Sequence, residues 1–334
     1  MRGIAALMVV IFHAISFMII YKNYDTPIPH YILATGVDIF FVISGYLMVK
    51  TTEKYKDSRL DWKLFLYKRL TRIAPMYWLV TIAISAAILY KPSLSEKQVD
   101  ILFVIKSLLF IPTHIPGSDM QSTIIPVGWT LVYEIFFYAV FAAITAINYR
   151  IGIFAIASTF IILAMSHGVF KNYYLDLYSN PIILEFVFGM IAAKLSKPVE
   201  KLAPAVLLTG FSALVLGSFL DGSDLSMRAI SAGIGASLII YGASGLPIDT
   251  PSKLLNMLGD ASYSIYLSHM YIIKVAAKFL PASLLSCAIL SITSIVIGYI
   301  IYISIERPIQ SAFSSKKPKT RPTPPVHSQY TSQE

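Results

Sequence analysis

The chain has 334 residues, 56% of them hydrophobic and only 13% charged, with a mean hydropathy of +0.68, which excludes an ordinary soluble globule. Its formal net charge of +9 does not indicate nucleic acid, because the cations lie between and after apolar segments. The single cysteine, Cys287, falls inside an apolar run and excludes both a disulfide and a cysteine-based metal site.

These limits predict an all-α polytopic membrane protein. The first apolar run, Arg2 to Ile20, is long enough to cross a bilayer. No small-residue cleavage site follows at Tyr21–Asp25, so the segment is expected to remain in the mature protein. Arg2 and His13 are eleven residues apart, close to three helical turns, and leave the helix on nearly the same face about 16 Å apart. That puts the cation near the interface and the imidazole near the bilayer centre. An ionisable group at such depth points to function, unless the ring merely hydrogen-bonds a neighbouring helix.

Nine further spans are expected after the first (4–21), at about 31–49, 74–90, 127–147, 151–166, 181–195, 204–220, 229–246, 258–278 and 284–305. Asp100–Thr113 is apolar but too short to cross, and reads as an interfacial or re-entrant helix. Of the 27 lysines and arginines, 19 fall on the side of the N-terminus, so both termini are expected to be cytoplasmic. Residues 1–310 then form one membrane-embedded domain. Residues 311–334 form a basic, proline-rich tail that is expected to be disordered.

Within this topology His13, Asp38, Glu134 and His269 all count to about 10–14 Å below the outer surface. Four ionisable groups at one level suggest a shared polar cavity. At the inner face Arg69 and Arg72 are three apart on one helical face. Ordinary positive-inside flanking accounts for such a pair, although two guanidinium forks also suit a phosphate. Gly36, Gly45, Gly189, Gly233 and Gly235 would permit close helix approach, and Pro75 and Pro126 suit the starts of spans three and four. Tyr77, Trp78, Trp129 and Tyr133 lie near span ends, where aromatic belts are usual. Tyr263, Ser264, Tyr266, Ser268 and His269 make a polar stripe. No glycine-bracketed serine turn surrounds it, so interhelical hydrogen bonding is expected and not a serine nucleophile.

The motifs resemble the acyltransferase-3 family of bacterial inner-membrane proteins, which includes enzymes that acetylate O-antigens and decorate exopolysaccharides and lipo-oligosaccharides. The likeness rests on Arg2-Gly3-Ile4-Ala5-Ala6-Leu7 through Phe12-His13, on Gly36-Val37-Asp38-Ile39-Phe40-Phe41-Val42-Ile43-Ser44-Gly45-Tyr46-Leu47, and on Arg69-Leu70-Thr71-Arg72. It continues through Gly128-Trp129-Thr130-Leu131-Val132-Tyr133-Glu134, then Ser262-Tyr263-Ser264-Ile265-Tyr266-Leu267-Ser268-His269 and Glu306-Arg307-Pro308. In the family's order these cover nearly all of the chain except the tail.

The resemblance implies transfer of an acyl group, usually acetyl, from cytoplasmic acyl-coenzyme A to a hydroxyl of an envelope glycan. It implies functional roles for Arg2 and His13 and for Arg69 and Arg72, and the three arginines are candidates for binding the coenzyme. Trp129, Tyr133, Ser268 and His269 are candidates for acceptor binding. No metal and no permanently bound cofactor are expected, only acyl-coenzyme A as co-substrate. The chain departs from the family in lacking residues before Arg2-Gly3 beyond Met1, which suggests an upstream start, and in carrying Thr130 where serine is frequent. Some relatives add an extracytoplasmic hydrolase-like domain, for which the segment after Gln310 is too short; a second step would then need a partner.

The expected mechanism has the arginines holding the coenzyme's phosphates while its thin arm rises between helices to His13. His13 would act as general base or carry the acyl group itself, with Asp38 or Glu134 orienting the ring. The rival is a flippase of lipid-linked glycans. The absence of an obvious inverted repeat or of matched broken helices lowers that option.

Overall fold

The computed structural model describes residues 1–26, 29–92, 99–114, 121–220, 225–247 and 252–315. Helix α1 (Arg2–Lys22) ends at Asn23, whose left-handed backbone returns its N–H to the Met18 carbonyl in the usual manner of a helix stop. A 3-10 turn, His30–Thr35, leads into α2 (Gly36–Thr52). Helix α3 (Trp62–Tyr90) starts where the Asp61 side chain accepts from the Leu64 N–H at 3.0 Å.

Helix α3 therefore begins twelve residues before the expected span and carries Pro75 inside it. Asp61 provides the N-cap. The proline removes only the single N–H that would have bonded the Thr71 carbonyl, and the helix runs through it. As a result Arg69 and Arg72, expected on one helical face ahead of span three, ride on the same continuous helix as that span.

Helix α4 (Ile101–Leu108) is short, as expected of a segment that cannot cross, and two-residue strands β1 (Thr113–His114) and β2 (Gln121–Ser122) pair antiparallel after it. A 3-10 turn opening with Pro126 enters α5 (Trp129–Thr145). Then follow α6 (Tyr149–Met165), α7 (Tyr173–Ser179), α8 (Leu184–Lys194), α9 (Ala203–Leu220), α10 (Leu225–Ser244), α11 (Lys253–Ala276) and α12 (Leu284–Ile301). A π-turn, Tyr302–Glu306, joins α12 to α13 (Arg307–Ser315). The last helix enters the segment expected to be disordered; residues 316–334 of that tail lie outside the described residues.

The architecture is helical, and among the described residues seven helical segments are long and apolar enough to cross a membrane: Arg2–Lys22, His30–Tyr55, Trp62–Tyr90, Pro126–Thr145, Tyr173–Lys194, Glu200–Phe219 and Leu284–Phe313. The other three expected spans are helical too. Tyr149–Met165 and Ala229–Ser244 are shorter, and Lys253–Ala276 is long but interrupted by Asp260, His269 and Lys274.

Helix α1 packs on α11, α12 and α2, while α2 crosses α8 and α10 lies against both. The α2–α8 crossing needs glycine on each side. A Cβ at Gly45 would overlap the Phe186 carbonyl oxygen, and one at Gly189 the Val42 carbonyl oxygen, so backbone meets backbone. Tyr77 and Tyr133, expected in an interfacial belt, are instead fully buried. Their hydroxyls donate to the Ser107 and Leu177 carbonyls at 3.0 Å each, and a satisfied hydroxyl lets the ring be buried.

Candidate active site

Arg2 at the head of α1 and Arg69 and Arg72 on one face of α3 converge on a cleft of about 710 Å³. The Nε of Arg2 is buried without a hydrogen-bond partner. The Arg69 guanidinium donates to Thr51 Oγ1 at 2.8 Å and lies over the Phe65 and Tyr138 rings at 5.7 and 5.9 Å. Among the described residues the ion pairs are Arg150–Asp57 and His167–Asp176, so none of the three cleft arginines is paired with a carboxylate. Three cations that meet at one cleft without a carboxylate partner favour an anion there.

Above the arginines, Thr130, Glu134 and Tyr138 follow at intervals of four on α5 and so present one face to the cleft. Glu134 Oε1 accepts from the Tyr138 hydroxyl and, at 3.2 Å, from Ser44 Oγ. One turn earlier, Thr130 Oγ1 stands 2.9 Å from the Tyr266 hydroxyl. Phe40 meets the Tyr266 ring edge-on at 5.6 Å, and both rings border the cleft. Beyond Tyr266 on α11 comes His269, 5.9 Å away between ring centres. His269 Nε2 lies 3.1 Å from His13 Nδ1. A run of four rings thus leads from the cleft to His13, which is itself partly exposed and not among the cleft's lining residues.

The hydrogen-bond geometry fixes both neutral tautomers. His269 Nδ1 lies 2.7 Å from the Tyr266 carbonyl oxygen, which only accepts, so this nitrogen carries the proton and Nε2 the lone pair. His13 Nδ1 lies 3.0 Å from the Val9 carbonyl oxygen. It too carries the proton, shared between that carbonyl and His269 Nε2. His13 Nε2 is left with the free lone pair, which is the requirement for a base or a nucleophile.

The structure brings together Arg2, Arg69, Arg72 and Glu134 at the cleft, and His13 with His269 beyond it. It does not bring the four ionisable groups to one level. Gly36, at the start of α2, packs on Ala5, Met8 and Val9, so Asp38 lies roughly two turns from His13 toward Arg2. Asp38 is completely buried in the first turn of α2, where the helix dipole favours a carboxylate. Glu134 is engaged by Ser44 and Tyr138 at the arginine level, and His269 orients His13 in the place expected for a carboxylate. Trp129 and Tyr133 pack edge-to-face with each other and with Phe41, away from the cleft lining. Ser268 Oγ donates to the Ser264 carbonyl of its own helix at 2.8 Å.

The polar stripe of α11 bonds across helices as expected. Tyr263 donates to the Ile73 carbonyl at 2.7 Å, and the Ser264 N–H and hydroxyl donate to Glu306 Oε2 at 3.1 and 2.5 Å. Glu306, delivered by the π-turn, stands in the sequence reading only within the Glu306-Arg307-Pro308 motif and without a role, and Ser44, Tyr138 and Tyr266 are not expected there as cleft residues. The interval of four from Thr130 to Tyr138 was the available signal. Among the described residues no group of three or more His, Cys, Asp or Glu is placed to hold a metal ion.

A family model described as an acyltransferase domain matches residues 1–303. The exopolysaccharide production protein ExoZ of Rhizobium meliloti (strain 1021) is 33% identical over 294 residues, covering 83% of this chain and 89% of that protein. The O-acetyltransferase OatA of Staphylococcus aureus (strain NCTC 8325 / PS 47) is 27% identical over 258 residues, 74% of this chain and 40% of its own length. The peptidoglycan O-acetyltransferase OatA of Listeria monocytogenes serovar 1/2a is 25% identical over 284 residues, 73% of this chain and 46% of its own length. The chain thus spans less than half of either OatA protein. No solved structure matches the chain.

Proposed function

The chain belongs to the acyltransferase-3 family, and from that premise we propose that it transfers an acyl group, acetyl by preference, from acyl-coenzyme A to a hydroxyl of a cell-envelope glycan. The glycan class is supported by the relatives' names, which specify exopolysaccharide and peptidoglycan. The donor is supported by one observation above others: an arginine-rimmed cleft whose far wall begins the run of rings that ends at His13.

In this reading Arg69 and Arg72 grip the coenzyme's pyrophosphate and Arg2 neutralises charge beside it. The narrow pantetheine arm follows the apolar walls made by Val37, Ile43 and Leu131 past Phe40 and Tyr266. The acceptor oxygen attacks the thioester carbonyl carbon while its proton passes to His13 Nε2. The C–S bond breaks, the ester C–O bond forms, and the departing thiolate takes that proton from the imidazolium as it becomes the thiol. His269 is a positioning residue that fixes the His13 tautomer, and Glu134 orders Ser44 and Tyr138 along the donor's path.

We also propose ten crossings of a bacterial inner membrane with both ends cytoplasmic, which the cation bias supports and which would set the arginine mouth on the coenzyme's side. Mass spectrometry of the envelope polysaccharide with and without this protein tests the activity. An acyl mass increment that depends on the protein is expected; identical spectra would reject it.

A further inference from the structure

A second cleft of about 700 Å³ opens beside the first and shares Arg69 and Arg72 with it. It is formed by the 3-10 turn Glu53–Tyr55 and the first turns of α3, and its walls bring Lys54 and Lys68 to the two arginines. Among the described residues no acidic side chain lines it. Four cations without a carboxylate among the lining residues make it electropositive. Tyr55 adds an aromatic ring at the wall, with the Lys54 ammonium 5.0 Å from its centre.

The two clefts differ in chemistry. One is largely apolar and leads inward between helices, while the other is cationic with one aromatic face and lies to the side. The shared arginines mark the bend between them. A ligand that fits both must be bipartite: a thin neutral arm, a phosphate-bearing elbow and an anionic, aromatic-bearing end. We propose that the lateral cleft is a nucleotide-end subsite, in which Lys54 and Lys68 hold a ribose 3′-phosphate and Tyr55 offers its ring to the base. This rests on the reading that acyl-coenzyme A is the donor, and deepens it. Lysine is suited to the task, because a terminal phosphate monoester presents a compact charge to a compact ammonium, while the planar forks of Arg69 and Arg72 match the bridging phosphates. Base stacking on an aromatic face is tolerant of geometry.

The test measures binding of acetyl-coenzyme A and of its 3′-dephospho analogue to the full chain in nanodiscs at one fixed salt concentration. The wild-type chain is expected to bind the dephospho analogue about 10–100-fold more weakly. The double variant Lys54→Ala, Lys68→Ala should bring acetyl-coenzyme A to the affinity of the analogue and leave the analogue's own affinity unchanged. Equal binding of the two ligands by the wild-type chain, or the same loss for both in the variant, would overturn the subsite while the donor reading stands. If the wild-type chain binds neither ligand, the donor reading falls and the subsite with it.

Discussion

Replacing His13 by alanine should lower kcat for acyl transfer by about 10²–10⁴-fold, the range a positioned general base supplies, with the chain still inserted in the membrane. The ring is partly exposed and makes its bonds to Val9 and His269, so its removal leaves no large cavity. The Michaelis constant for acetyl-coenzyme A should hardly move, because the donor is gripped three turns away. The companion change, His269→Gln, keeps an acceptor oxygen near the His13 N–H and should retain more turnover than His269→Ala. Steady-state rates with membrane fractions matched for protein content check both. Undiminished turnover by the His13→Ala variant would remove the imidazole from the mechanism.

Replacing Arg69 and Arg72 together by alanine should act on the other parameter. A charge-assisted bond to phosphate contributes strongly when buried. Here the side chains are partly buried or exposed, and screening reduces each contribution to about tenfold. The double variant should therefore raise the Michaelis constant for acetyl-coenzyme A about a hundredfold with a smaller change in kcat. Lysine replacements should recover only part of the loss, since the fork that spans two phosphate oxygens is missing. The wild-type constant should itself climb with ionic strength, and the variant's should do so less steeply. A drop in kcat with an unchanged Michaelis constant would show that the arginines act on the chemistry and not on donor binding.

Much of the fold was legible because its signals are local. Apolar length placed helices on all ten expected segments, and the spacing of Arg2 and His13 put them on one helix at different depths. The carboxylates were misplaced for a physical reason. Depth was counted along an assumed continuous helix from residue 31, but His30–Thr35 is a 3-10 turn that rises faster per residue and carries the start of α2 down beside Ala5 and Val9. Asp38 moves with it. Pro75 misled in a similar way, since a proline reads as a helix start although the N-cap at Asp61 stands fourteen residues earlier.

The pairing of His13 with His269 could not be read at all. It depends on α1 and α11 being neighbours, a fact of packing between segments more than 250 residues apart, and depth along a helix says nothing about which helices touch. The interval of four linking Thr130, Glu134 and Tyr138 was present in the sequence. It gained meaning only when Ser44, Tyr266 and Arg69 were found facing it.

In the proposed route the donor enters at the arginines and is spent at His13 on a glycan hydroxyl. Radiolabelled acetyl-coenzyme A added to sealed membrane vesicles of each orientation, followed by recovery of the glycan, tests it most directly. Label should reach the glycan in inverted vesicles, whose outer surface is the former cytoplasmic face, and should be absent in right-side-out ones and in inverted vesicles bearing His13→Ala. Transfer confined to right-side-out vesicles, or none in either orientation, would overturn this route.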